Sequence, residues 1–160
     1  MKWIVFAVGA LVVLAAVIAI IGSMLPRTHT ASRTLRVKRA PVDVWPAITQ
    51  AMSASDVPTD IVESDPPRRL VSRVKDAEKM FGGTWTVAIA PVDASTSSGQ
   101  ALSTGSGQAG CTITITEEGW VANPVFRFVS RYVMGHHATM DAMLRAVAKN
   151  FGEEPQLSGE

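Results

Sequence analysis

Cysteine is nearly absent: Cys111 is the only one among 160 residues, which excludes an internal disulfide and any site built from several thiolates. It stands in a strand-like run, where a thiol packs as a small apolar group, so a buried structural role outweighs a catalytic one. A surplus of one charge is missing too. Of the 15 Lys and Arg only Lys2 falls in the first 24 residues, leaving 14 against 14 Asp and Glu in the remainder. A nucleic-acid binder would gather a basic surplus on one element, and nucleic acid is excluded as a partner on that ground. There is no Gly-rich phosphate loop, nucleophile elbow, zinc motif or Cys/His dyad, and no cofactor is expected. Large apolar side chains are scarce from Asp93 to Gly110, where Ser, Thr, Gly and Ala dominate. Such a stretch cannot bury a core and reads as a flexible hairpin loop.

Polar residues are absent from Ile4 to Ile21, where every residue is apolar or Gly. With Trp3 before it and Met24-Leu25 after it, this run approaches the roughly 20 residues a helix needs to cross hydrocarbon. A cleaved signal peptide is the rival reading, but its apolar region usually holds only about 7 to 15 residues, and Ile21 to Pro26 is a poor cleavage site. Trp3 suits the interface, and Pro26 stops the helix outside it. Residues 1–25 are therefore expected to be a transmembrane anchor in a single-pass membrane protein, and 26–31 a linker. Arg27, Arg33, Arg36, Lys38 and Arg39 follow with no acid before Asp43, and the positive-inside rule then points to a cytoplasmic domain.

Residues 32–152 read as one domain, with 153–160 as a tail. Ser32 to Lys38 alternates as a half-buried strand, with Leu35 and Val37 on one face. Asp43 is expected to cap a short helix to about Met52, with Pro46 in its first turn. Asp60 to Ser64 and Leu70 to Lys75 flank the turn signal Asp65-Pro66-Pro67-Arg68 and form a hairpin. Trp85, Val87 and Ile89 share one strand face, as do Cys111, Ile113 and Ile115. Asn123 and Pro124 open a last helix expected to run unbroken to about Phe151. At 100° per residue its apolar face holds Val125, Val129, Tyr132, His136, Met140, Met143 and Val147, and Arg127, Arg131, Arg145 and Lys149 lie opposite. Strand, short helix, antiparallel strands and one long amphipathic helix make an α+β domain whose main helix crosses a curved sheet.

That order of elements resembles the START-like superfamily, also called SRPBCC or polyketide cyclase/dehydrase-like proteins. The residues that carry the resemblance are "RVKRAPVDVWPAI" (Arg36 to Ile48), "ESDPPRRLVSRV" (Glu63 to Val74) and "GWVANPVFRFVSRYVMG" (Gly119 to Gly135). The first and third are similar to bacterial members that also carry an N-terminal membrane helix. The resemblance implies a helix-grip fold, a curved antiparallel sheet wrapped on a C-terminal helix. Between sheet and helix it implies a hydrophobic cavity for a lipid or other apolar small molecule, with enzymatic activity in some branches only. Two departures stand out. Ser53 to Thr59 is short where many members have an extra helix and lid, and the Ser/Gly-rich stretch replaces a tighter hairpin.

The cavity candidates are Trp85, Val87, Ile113, Ile115, Val129, Tyr132, His136, Met140 and Met143. Tyr132 and His136, one turn apart on a continuous helix, would supply the few polar groups that orient a ligand in an apolar pocket. A histidine in such a stripe is more often a hydrogen-bonded core residue, and Met at helical spacing is more often core filling. His137 and Asp141 have the spacing of a two-ligand metal clip but lack a third ligand. Glu117 and Glu118, as strand neighbours, point to opposite faces and do not form an acid pair. Three readings follow: a membrane-tethered binding module, a cyclase- or hydrolase-like enzyme using Tyr132 or His136, and a protein-interaction module with a filled core. The protein partner in the third has no signature in the sequence.

Overall fold

The structure, a computed structural model, describes residues 2–55, 57–75, 80–92, 110–135 and 137–159. It is an α+β, helix-grip-like architecture: a six-stranded antiparallel open sheet with its helices on the concave face and an apolar helix in front. That first helix, α1 (Lys2–Met24), has 23 residues, its most apolar 18-residue stretch has a mean hydropathy of 3.2, and it is the one helix among the described residues long and apolar enough to cross a membrane.

The sheet is built by β1 (Thr28–Val37), β2 (Thr59–Asp65), β3 (Arg69–Val74), β4 (Phe81–Val92), β5 (Gly110–Val121) and β6 (Leu157–Ser158), in the order β2-β3-β4-β5-β1-β6. Strand β1 begins at Thr28, so most of the expected linker is sheet: Thr28 already pairs with Trp120. The expected tail is likewise tied down, since Leu157 and Ser158 pair with Leu35 and Thr34. The Pro66-Pro67 turn joins β2 to β3, as its sequence signals, and carries a cis peptide. Segment 93–109 lies outside the described residues.

Period-two alternation puts Leu35, Val37, Trp85, Val87, Ile89, Cys111, Ile113 and Ile115 on the concave face, all buried. Two helices cover them. Helix α2 (Pro41–Ser53) contributes Val44, Ile48 and Met52, and α4 (Ala138–Asn150) contributes Met140, Met143, Leu144 and Val147. Helix α2 starts earlier than Asp43: Ala40 is the capping position and Pro41 opens the first turn. Asp43 instead lies within that turn, where a carboxylate favours the positive end of the helix dipole. From α4, Asp141 accepts a 3.0 Å hydrogen bond from Arg33 Nε on β1, which pins the helix to the sheet from its polar flank. Arg33 also donates to the Gly159 carbonyl, closing the C-terminal strand.

The last helix is not continuous, contrary to the expectation from its wheel. It divides into α3 (Pro124–Val129), a π-helical turn at Ser130–Met134, and α4. Gly135 sits at φ 73° between them, a left-handed conformation that only glycine adopts readily. The cause is two docking demands that one straight helix cannot meet. Helix α4 packs on the sheet, whereas α3 is drawn toward α1 by Arg127, which is buried and donates to the carbonyls of Leu25 at 2.9 Å and Ala122 at 3.0 Å. The wider π turn also shifts the phase of the wheel. Met140, Met143 and Val147 reach the core as expected, while Arg127, placed on the polar face by the wheel, is inside. Asn123 caps α3 as read, accepting from the Val125 and Phe126 amides at 2.8 and 3.4 Å.

The thiol of Cys111 is fully buried, and its pKa is pushed from 9.0 up to about 11, first by desolvation and second by the nearby Glu153 charge. At pH 8 this lowers the thiolate fraction about 100-fold relative to an exposed cysteine. A disulfide reagent at pH 8 is therefore expected to react with the native protein more than 100-fold slower than with the urea-unfolded chain. Comparable rates would mean that the strand opens easily.

Candidate functional site

A cavity of about 340 Å³ occupies one end of the concave face. The inward rows of β4 and β5 form its floor through Trp85 and Glu117, which are directly paired across the two strands. Its walls are Val57, Val74, Trp120, Val121 and the α3 residues Phe126 and Val129, with Ser130, Gly135 and Thr139 beyond them. Met80, Phe81 and Phe126, each about half exposed, mark its rim. The lining is mostly aromatic and branched aliphatic, as in sites for apolar small molecules.

Among the described residues, two titratable side chains reach this lining, His29 and Glu117. His29 Nε2 lies 3.4 Å from Glu117 Oε1, and both side chains are about one-fifth exposed. Strand register places them: His29 pairs with Gly119, so Glu117 is its diagonal neighbour on the same face. The glycine matters, because a Cβ at position 119 would stand 2.5 Å from the imidazole Cε1 and 2.7 Å from Nε2. Any side chain there would displace the ring. The pair places an imidazole and a carboxylate among mainly apolar side chains, with the Ser130 and Thr139 hydroxyls beyond, the composition that orients an amphiphilic ligand by its polar end.

The sequence-derived candidates distribute unevenly. Trp85 and Val129 line the cavity. Val87, Ile113, Ile115, Met140 and Met143 lie in the filled part of the core beside it. Tyr132 is 61% exposed and packs its ring 5.0 Å from that of Phe128, outside the lining. His136 lies outside the described residues. The bend after Val129 explains the difference for Tyr132, since a straight helix would have carried it over the sheet.

Neither His29 nor Glu117 is among the sequence-derived cavity candidates, for separate reasons. His29 lies in the stretch expected to be a linker. Glu117 is a charged neighbour of Glu118, although the alternation Cys111, Ile113, Ile115 continues to it and marks it as inward-facing. Among the described residues no group of three or more His, Cys, Asp or Glu could hold a metal ion.

No family model matches the sequence, and no curated protein matches it. Among solved structures, a conserved protein from Geobacillus kaustophilus superposes with a TM-score of 0.50 at 8% identity, covering 81% of this chain and 99% of that one. This is a likeness of fold alone. The di-domain ARO/CYC BexL from the BE-7585A biosynthetic pathway aligns with a TM-score of 0.34 at 15% identity, over 94% of this chain. The present chain spans 56% of BexL, and backbone likeness at that score carries no argument about chemistry.

Proposed function

We propose that the chain is a membrane-tethered binding module for a lipid or other hydrophobic small molecule, anchored by α1 and holding its ligand in the cavity between sheet and helices. The observation that carries this reading is the mainly apolar hollow with the His29–Glu117 pair on its floor. Its volume of about 340 Å³ is at the small end of the roughly 300–1,000 Å³ usual for ligand sites. The ligand class is accordingly one acyl chain or a compact ring system with a hydrogen-bonding end, rather than a whole phospholipid. The START-like resemblance of 36–48, 63–74 and 119–135 supports the same class. Tethering concentrates the module beside its source of ligand.

The test is displacement of an apolar fluorescent probe from the full chain in lipid nanodiscs by an alkane, an alcohol and a carboxylic acid of equal chain length. The alcohol should compete about tenfold better than the alkane, the worth of one hydrogen bond. Glu117→Leu should remove most of that preference. Absence of displacement by all three compounds would sink the cavity reading, and equal competition would exclude His29 and Glu117 from recognition.

A second reading rests on the same pair. A His–carboxylate couple facing a mainly apolar pocket is also equipment for general acid–base chemistry, so a cyclase- or hydrolase-like enzyme would use His29 and Glu117. Turnover lost in Glu117→Gln with ligand retained would favour it.

A further inference from the structure

We infer that the α3–π-turn segment, together with Met80 and Phe81, is a second membrane-binding surface that seats the cavity rim in the bilayer interface. The inference rests on reading α1 as a bilayer anchor. At about 1.5 Å per residue, the 23 residues of α1 span about 35 Å, against a hydrocarbon core of about 30 Å. Its last turns, around Gly22, therefore reach the boundary between acyl chains and headgroups.

Helix α3 packs against those turns. Gly22 is the buried residue of α1, and a Cβ there would overlap the Pro124 carbonyl, so the two backbones are in direct contact. Arg127 adds the bond to the Leu25 carbonyl, a helix-end acceptor that would otherwise lack a partner within the helix. These contacts hold α3 at the depth of the α1 terminus.

The residues held there are apolar and outward-facing. Beyond α1, the exposed large hydrophobics among the described residues are Val42, Ile61 and Val62 on one hand, and the α3–π and Met80-Phe81 group on the other. Within that group Phe126 is 51% and Val133 71% exposed. Scattered single residues need no explanation, whereas a gathered patch marks an interaction surface. Arg27 and Arg131, beside the same helix end, are placed to meet anionic headgroups. Continuity with α1 identifies the occupant as the bilayer. Since Phe126, Met80 and Phe81 also rim the cavity, an apolar ligand would pass between lipid and cavity without crossing water.

The test uses the full chain in vesicles of phosphatidylcholine with phosphatidylglycerol, carrying one nitroxide at Phe126→Cys, Val133→Cys, Ile61→Cys or Val12→Cys. Buried Cys111 does not compete for the label, and its continued inertness reports that each variant is folded. Collision with oxygen should exceed collision with a nickel chelate several-fold at positions 12, 126 and 133, and the order should reverse at 61. Nickel dominance at 126 and 133 with 12 still in lipid would overturn this inference alone. Nickel dominance at 12 as well would overturn the anchor reading with it. Protection from both reagents with dipolar broadening would assign the surface to a second copy of the chain, and would also overturn the inference.

Discussion

Val129→Trp is expected to abolish ligand retention, by tenfold or more, while leaving the fold intact. Val129 projects from α3 into the cavity beside Phe126, and an indole at that position would extend into empty space rather than into packed core. Enlarging a residue inside a close-packed interior typically costs about 1–3 kcal/mol through forced rotamers and backbone shifts. Here about 340 Å³ is available to receive the larger group, so the melting temperature should hardly change. The variant thus separates occupancy from stability. Unchanged retention would place the ligand elsewhere, and a large loss of stability would mean that the hollow is not open at Val129.

Leu144→Ala is expected to do the reverse, costing about 2–5 kcal/mol of stability without touching the lining. Leu144 is wholly buried on α4 in the cluster formed with α2 and the concave sheet face. Deleting its branched end leaves a void that the surrounding strands, each paired on both sides, cannot collapse to fill. For a domain of this size such a cost is a large part of the total stability, and thermal unfolding should fall by well over 5 °C. Thermal or urea unfolding of the full chain reads the effect directly. A loss below about 1 kcal/mol would mean that α4 is not the main clamp on the sheet.

Much of the fold was legible because it rests on short periods. Alternation fixed the inward faces of β4 and β5, Pro66-Pro67 marked a hairpin turn, and Asn123-Pro124 marked a helix start with its capping bonds. What failed was continuity. A helical wheel assumes 100° per residue over its whole length, and the π turn after Val129 with left-handed Gly135 breaks that phase. The sequence does contain Gly135, but whether a mid-helix glycine is tolerated or marks a bend depends on long-range contacts. In this protein those contacts are Gly22 with Pro124 and Arg127 with Leu25, spanning about a hundred positions.

The site was legible in part for the same reason. Trp85 and Val129 followed from apolar periodicity. The polar pair needed the register of β1 against β5, which depends on β1 starting at Thr28 rather than after a linker. A strand whose first residues are Thr-His-Thr lacks the apolar alternation that would announce it. Its burial comes from pairing with β5 and from the space left by Gly119.

The most direct measurement is native mass spectrometry of the full chain released from detergent, wild type beside Val129→Trp, followed by solvent extraction of the bound material. The account predicts a stoichiometric apolar adduct on the wild type that Val129→Trp lacks, with lipids loosely held by α1 common to both. Identical spectra, bare or equally lipid-laden, would contradict a ligand-holding cavity.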